Sequence, residues 1–87
     1  MSISVVIVDD HHLVREAIRS LLARHSDIEV RGEGSNGDEA MSLVEACSPD
    51  VLLIDLAMPA MNGVEAVTQI VNRHPTMKAL EIGRAHV

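Results

Sequence analysis

The chain has 87 residues, a formal net charge of −6, no aromatic residue and a single cysteine, Cys47. These features predict one small domain with an aliphatic core and without an intramolecular disulfide. The acidic balance disfavours direct binding to nucleic acid or to an anionic membrane. The amino terminus lacks a basic segment, and no apolar run approaches membrane-spanning length. We therefore expect a cytoplasmic protein.

Hydrophobic periodicity predicts alternating strands and helices. Residues 4–8 and 51–54 are continuous apolar runs typical of buried strands, and residues 28–33 indicate a shorter strand between them. Residues 13–22 have helical spacing, with Leu13, Leu21 and their neighbours forming the apolar face and Arg15 facing solvent.

Two further helices follow from end signals and spacing. Asn36 and Glu39 have the spacing of a capping box and predict the start of the second helix, which ends before Pro49. The third helix is predicted over residues 63–73, before Pro75. Strands that alternate with helices favour an α/β fold with a parallel sheet and right-handed crossovers.

Acidic side chains follow two of the predicted strands. Asp9 and Asp10 come directly after the first strand, and Asp55 follows the third. Because ligands of parallel sheets bind at the carboxyl ends of the strands, we expect the three carboxylates to meet there. Hard oxygen ligands prefer Mg²⁺, Mn²⁺ or Ca²⁺, and Mg²⁺ leaves coordination positions for water and phosphate. The pattern predicts phosphate chemistry with one aspartate as a nucleophile.

Other residues near these acids suggest weaker alternatives. Gly32, Gly34 and Gly37 spell the dinucleotide pattern G-x-G-x-x-G, but it follows the second strand and gives the acid pair no role. His11 and His12 stand beside the acid pair, and as metal ligands there they would suggest Zn²⁺ or Fe²⁺. Adjacent residues that open a helix point about 100° apart. We therefore predict that both imidazoles are solvated.

Three separated motifs together resemble one family. They are Val5-Val6-Ile7-Val8-Asp9-Asp10-His11, residues 32–40 with the sequence GEGSNGDEA, and residues 50–63 with the sequence DVLLIDLAMPAMNG. They resemble the receiver domain of bacterial two-component response regulators, and the NarL/FixJ subfamily most of all. The resemblance implies a partial flavodoxin-like (CheY-like), doubly wound parallel sheet that contains the first three βα units only.

The resemblance also implies a role for each site residue. Asp55 would accept a phosphoryl group from the phosphohistidine of a sensor histidine kinase. Asp10 would bind Mg²⁺ directly, Asp9 largely through water, and Asp55 and the backbone carbonyl of Ala57 would complete the metal site. The phosphorelay switch would not be a turnover enzyme. Its parent protein would regulate transcription through a separate helix-turn-helix domain, so we expect no direct DNA binding by residues 1–87.

The end of the sequence departs from the family pattern. A fourth strand is expected to begin near Lys78, yet Glu81 stands at a buried position of that strand and Gly83 replaces the Thr or Ser that contacts phosphate in the family. The Lys that ends the fifth strand is also missing. Residues 81–87 resemble the translation of a short-read sequencing adapter. We therefore predict a truncated receiver domain over residues 1–80, a non-native tail over residues 81–87, and a third strand without its outer neighbour.

Two functions from other classes remain as alternatives. An aspartate-nucleophile, Mg²⁺-dependent phosphohydrolase also uses an aspartate after its first strand, but its D-x-D pattern requires a second Asp where His11 stands. A nucleotide-binding, Rossmann-like fragment would use the glycine pattern instead. The sequence does not identify the kinase partner, the target genes or the oligomeric state.

Overall fold

A computed structural model describes residues 2–55 and 63–82 of the chain. Seven elements alternate along it, and all strand pairs are parallel in the order β2-β1-β3-β4. The elements are β1 (Ile3–Val8), α1 (His12–Leu22), β2 (Ile28–Gly34), α2 (Gly37–Cys47), β3 (Val51–Asp55), α3 (Gly63–Arg73) and β4 (Lys78–Ile82). The predicted α/β class with a doubly wound, CheY-like parallel sheet is confirmed.

The sheet contains a fourth strand that the sequence analysis did not expect to pair. β4 lies beside β3 with Leu80 opposite Leu53 and Glu81 opposite Ile54, so the expectation that β3 lacks an outer neighbour is wrong. Met77, just before β4, is buried in the core, and Ala79 packs against it. Glu81 is tolerated because β4 is an edge strand and this residue is exposed. These contacts anchor β4 although two of its side chains, Lys78 and Glu81, are charged.

The largest hydrophobic cluster lies on one face of the sheet. Val6 and Val8 of β1 pair with Leu52 and Ile54 of β3, and all four side chains are fully buried beneath α2 and α3. Their alternation in the strands points them to the same face. The remaining members of this cluster are Ala40, Val44, Val67, Ile70 and Met77.

Helix α1 lies on the opposite face and is poorly covered. The β1–α1–β2 connection runs along the sheet in the opposite direction from the other two, so right-handed crossovers place α1 on the other side. No residue of α1 is buried, and Leu13 and Leu21 are 78% and 59% exposed. The predicted amphipathic helix is present, but its own apolar side chains stay partly or fully exposed, although Val5 and Ile7 of β1 are buried on this face.

The turn into α2 has the predicted capping box. Glu39 donates its backbone N–H to Asn36 Oδ1 at 2.8 Å, while Glu39 Oε1 accepts from the backbone N–H of Ser35 at 3.1 Å. The side-chain and backbone hydrogen bonds from Ser35 lower the pKa of Glu39. Gly32 and Gly34 lie within β2, where a Cβ atom at Gly34 would stand 3.1 Å from Leu43 Cδ1. Close packing of β2 against α2 therefore accounts for these two glycines.

Asp50 connects three strands at the amino end of the sheet. Its Oδ2 accepts from the backbone N–H of Ser4 at 2.9 Å and from Ser4 Oγ at 3.1 Å. The backbone N–H of Asp50 donates back to Ser4 Oγ at 2.9 Å, and its carbonyl accepts from Lys78 N–H at 3.0 Å. Asp50 thus joins the starts of β1, β3 and β4, a role that the sequence analysis missed.

The Asp50 carboxylate is expected to make stability depend on pH. The backbone hydrogen bond from Ser4, followed by its hydroxyl, lowers the pKa of Asp50 from its ordinary 3.8. A carboxyl group with a lowered folded-state pKa stabilises the fold above its unfolded-state pKa and loses that contribution as the pH falls through the folded-state value. Asp50→Asn should therefore cost more unfolding free energy at neutral pH than below about pH 4. Urea unfolding across this range measures the difference, and a constant cost would contradict the assignment.

Helices in the described ranges are all eleven residues long. None of them has the length and apolar character needed to cross a membrane.

Candidate functional site

The site begins where β1 ends. Asp9 is 2% exposed, and its backbone N–H donates to the Gly34 carbonyl at 3.0 Å, which fixes the end of β1 against β2. Asp10 follows with a side chain that is 27% exposed. The buried carboxylate of Asp9 and the more accessible one of Asp10 therefore stand together at the carboxyl edge of the sheet.

Asp55 reaches the same edge from β3. Val8 pairs with Ile54, so Asp9 and Asp55 each come one residue after a paired position on neighbouring strands. Asp55 is only 2% exposed. The direction of the crossovers reverses between β1 and β3, and such a switch point is where open α/β sheets bind ligands. Parallel pairing thus brings the three predicted carboxylates together.

His11 belongs to this acidic group, which the sequence analysis did not predict, although its side chain is also 42% exposed to solvent. Its Nδ1 lies 3.0 Å from Asp9 Oδ1 and 2.8 Å from Asp10 Oδ1, and one ligand atom from each of these residues and Asp55 lies within 4.8 Å of every other. The helical-wheel argument failed because α1 begins at His12. His11 precedes it in extended conformation and donates its backbone N–H to Asp9 Oδ1 at 2.8 Å. An aspartate hydrogen-bonded two residues ahead is the signal that could have indicated this turn.

The His12 imidazole is solvated, as predicted from the sequence. Its side chain is 77% exposed, and its Nε2 lies 3.6 Å from Glu16 one helical turn away. The adjacent histidines therefore occupy different environments, one within the acidic group and one on the surface of α1.

Arg15 also supports the site, whereas the sequence analysis placed it in solvent. Its side chain is only 17% exposed, and its Nη1 donates to the backbone carbonyl of Asp9 at 2.7 Å. Nε lies 3.9 Å from Glu33 Oε1 on β2. The long side chain reaches from α1 back to the end of β1, where it holds the backbone of Asp9. Helical periodicity predicts the direction in which a side chain leaves the helix, but not the distant contacts that a long arginine side chain makes.

The donor set suits a hard divalent cation. Asp9, Asp10 and Asp55 offer carboxylate oxygens, which are the ligands that Mg²⁺ prefers. Two of the three are almost fully buried, and like charges at such separations repel one another unless a cation or proton intervenes. The predicted ligand Ala57 and the loop residue Pro59 lie outside the described residues.

The sequence relationships agree with this geometry. A family profile described as "Response regulator receiver domain" matches residues 5–86. The chain belongs to the response regulator receiver family. Response regulator protein VraR of Staphylococcus aureus is 50% identical over 80 residues, which are 92% of this chain and 38% of VraR. Transcriptional regulatory protein DegU of Brevibacillus brevis is 45% identical over 78 residues, 90% of this chain and 33% of DegU. The chain spans about a third of the length of these curated relatives.

Solved receiver structures share the fold. The signal receiver domain of the response regulator NarL from Mycobacterium tuberculosis superposes with a TM-score of 0.88 at 31% identity, covering 99% of this chain and 69% of that one. A LuxR-family response regulator from Staphylococcus aureus gives 0.86 at 30% identity, with 98% and 71% covered. The chain is therefore a receiver domain of a two-component response regulator. Such domains are generally not enzymes, and they typically bind Mg²⁺ in an acidic pocket.

Proposed function

We propose that Asp55 accepts a phosphoryl group from the phosphohistidine of a sensor histidine kinase. The observation that carries this proposal is the grouping of Asp9, Asp10 and Asp55 at the carboxyl edge of the sheet, with ligand atoms within 4.8 Å of one another. A lone aspartate after a strand has simpler explanations as a turn or cap residue, whereas three converging acids with two buried do not.

In the proposed transfer, one Asp55 carboxylate oxygen attacks phosphorus while the phosphorus–nitrogen bond of the donor breaks. The bonding electrons leave with the donor imidazole, which takes a proton, and an aspartyl phosphate forms. Asp10 and Asp9, with the Ala57 carbonyl, are the proposed further ligands of Mg²⁺, which when bound would neutralise charge on the phosphoryl oxygens. Arg15 holds the Asp9 backbone at 2.7 Å, and this contact keeps the acid pair in place during transfer.

This function is a binding switch without turnover, because the phosphoryl group stays on the protein. The alternative phosphohydrolase would need an acid where His11 stands. We further propose a cytoplasmic location, where the kinase supplies the phosphoryl group. We also propose a parent protein that regulates transcription, as the relative DegU is named a transcriptional regulatory protein. DNA binding is assigned to a separate domain, since this chain carries a net charge of −6.

Acetyl phosphate, a small phosphoryl donor, tests the proposal directly. With Mg²⁺ present, intact mass spectrometry should show the gain of one phosphoryl group, and reduction of the acyl phosphate with borohydride followed by peptide mapping should locate it at Asp55. EDTA should prevent the gain. A folded chain without an adduct, or an adduct at another residue, would contradict the assignment of Asp55.

We also propose that the receiver domain covers residues 1–80 and that residues 81–87 are a non-native tail. The support is the resemblance of this heptapeptide to a translated sequencing adapter. Resequencing the source DNA with a different library adapter tests it, since the codons for residues 81–87 should then change. Recovery of the same seven codons would overturn the proposal.

A further inference from the structure

His11 places a nitrogen inside an otherwise oxygen-donor site. Its Nδ1 lies 2.8 Å from one oxygen of Asp10 and 3.0 Å from one oxygen of Asp9. A single ring nitrogen carries at most one proton, so it cannot donate a full hydrogen bond to both carboxylates at once. Nδ1 therefore lies between the two carboxylates, at a position where it can be a third ligand atom for a cation that both carboxylates bind.

The spacing of these atoms also fits coordination. Metal–oxygen and metal–nitrogen bonds of Mg²⁺ and Zn²⁺ measure about 2.0–2.1 Å, so neighbouring donors at right angles stand roughly 3 Å apart. The separations from Nδ1 to the oxygens of Asp9 and Asp10 match that value, and Asp55 completes a group that spans no more than 4.8 Å. Asp9 and Asp55 are almost fully buried, whereas Asp10 and His11 are 27% and 42% exposed, so the site is buried on one side and open to solvent on the other.

The chemistry of imidazole determines which cation gains from this nitrogen. Carboxylates suit Mg²⁺, Ca²⁺ and Mn²⁺, whereas imidazole suits Co²⁺, Ni²⁺, Cu²⁺ and Zn²⁺, whose affinities for nitrogen donors are higher. Mg²⁺ gains little from a nitrogen ligand because it prefers oxygen and retains water. A histidine in this position therefore changes selectivity more than it changes Mg²⁺ affinity.

We propose that His11 Nδ1 is a direct ligand in this site and that the site binds divalent transition metals more tightly than Mg²⁺ through it. The proposal uses the same carboxylates as the proposed phosphoryl acceptor site and rests on that function only for their shared location. According to this proposal, a transition metal competes with Mg²⁺ for the acid pair, and ligation by His11 determines how much more tightly the transition metal binds.

Isothermal titration calorimetry with CoCl₂ and with MgCl₂, at one fixed pH, tests the proposal on the full chain. His11→Ala should weaken Co²⁺ binding by about tenfold or more and change Mg²⁺ binding by less than about threefold. His12→Ala is the matched control because this neighbouring imidazole is 77% exposed and lies outside the acidic group, so it should change neither affinity. In the wild-type chain, Co²⁺ should shift the ring protons of His11 strongly in NMR spectra and leave those of His12 far less affected.

Each result discriminates between direct ligation and other roles. Unchanged Co²⁺ affinity in His11→Ala would overturn the proposal, and so would equal losses of Co²⁺ and Mg²⁺ binding, which would indicate that His11 only orients the acids. If the alanine variant unfolds, the Co²⁺-induced shifts in the wild-type chain decide alone. Phosphorylation of Asp55 with Mg²⁺ in the wild-type chain is a separate measurement. Its presence without His11-dependent Co²⁺ binding would refute only the ligand proposal, and the reverse result would refute only the acceptor proposal.

Discussion

Asp55→Asn is expected to abolish phosphoryl incorporation from acetyl phosphate and, without added metal, to raise the thermal stability of the chain. The amide has nearly the same shape as the carboxylate but is a far weaker nucleophile, so the acceptor is lost while the buried volume is kept. Asp55 is 2% exposed and lies in one group with Asp9 and Asp10. Removing its negative charge should relieve repulsion by about 1 kcal/mol or more. Intact mass spectrometry and thermal melts in EDTA measure the two effects.

Asp27→Asn provides a control with the same chemical change. Asp27 is exposed at the opposite, amino end of the sheet, where its backbone carbonyl accepts from Ile3 N–H at 2.7 Å. Its side chain lies outside the acidic group, so phosphorylation and the metal-free melt should remain as in the wild-type chain. Added Mg²⁺ should stabilise wild type and Asp27→Asn more than Asp55→Asn. Phosphorylation of Asp55→Asn at the wild-type level would refute Asp55 as the acceptor.

The carboxylates of this site were predictable because they depend on two regular features. A continuous apolar strand followed by an acid, repeated at Asp9 and Asp55, needs only parallel pairing to bring the acids together. The alternation of strands and helices supplied that pairing, and the register of β1 with β3 confirms it. The same reasoning predicted the capping box at Asn36, where one short motif determines the local hydrogen bonds.

The features that escaped prediction depend on reach or on tertiary pairing. The sequence analysis treated His11 as a residue that opens the helix, but α1 begins at His12. The direction inferred for the His11 side chain was therefore wrong. Arg15 follows the helical pattern in its backbone, but its long side chain turns back to the Asp9 carbonyl. Asp50 follows Pro49, and this pattern is typical of a turn. Its hydrogen bonds to Ser4, however, join residues that are 46 positions apart in the sequence. β4 was underestimated because the charge of Glu81 argues against a buried strand, whereas an edge strand accommodates it.

The unequal burial of the two helical faces leads to the prediction with the largest effect on stability. Ile70 of α3 is fully buried in the cluster that α2 and α3 form on the sheet, whereas Leu13 of α1 is 78% exposed on the other face. Ile70→Ala should cost about 2–5 kcal/mol of unfolding free energy, because it removes buried methyl groups and leaves a cavity. Small domains have only about 5–15 kcal/mol in total, so this loss should be a large fraction of the stability of the chain. Urea unfolding followed by far-UV circular dichroism measures it.

Leu13→Ala is the matched comparison, since it also truncates an aliphatic side chain to alanine on a helix. An exposed position away from a core should change the unfolding free energy by no more than about 0.5 kcal/mol, and alanine's higher helix propensity favours the folded state slightly. Removing an exposed leucine should also reduce any self-association through the α1 face, which analytical ultracentrifugation of both variants would detect. Comparable losses of stability for Leu13→Ala and Ile70→Ala would mean that α1 buries Leu13 in solution. In that case Leu13 would pack on the face where Val5 and Ile7 are buried, and the acid pair that precedes α1 would be supported by packing as well as by Arg15.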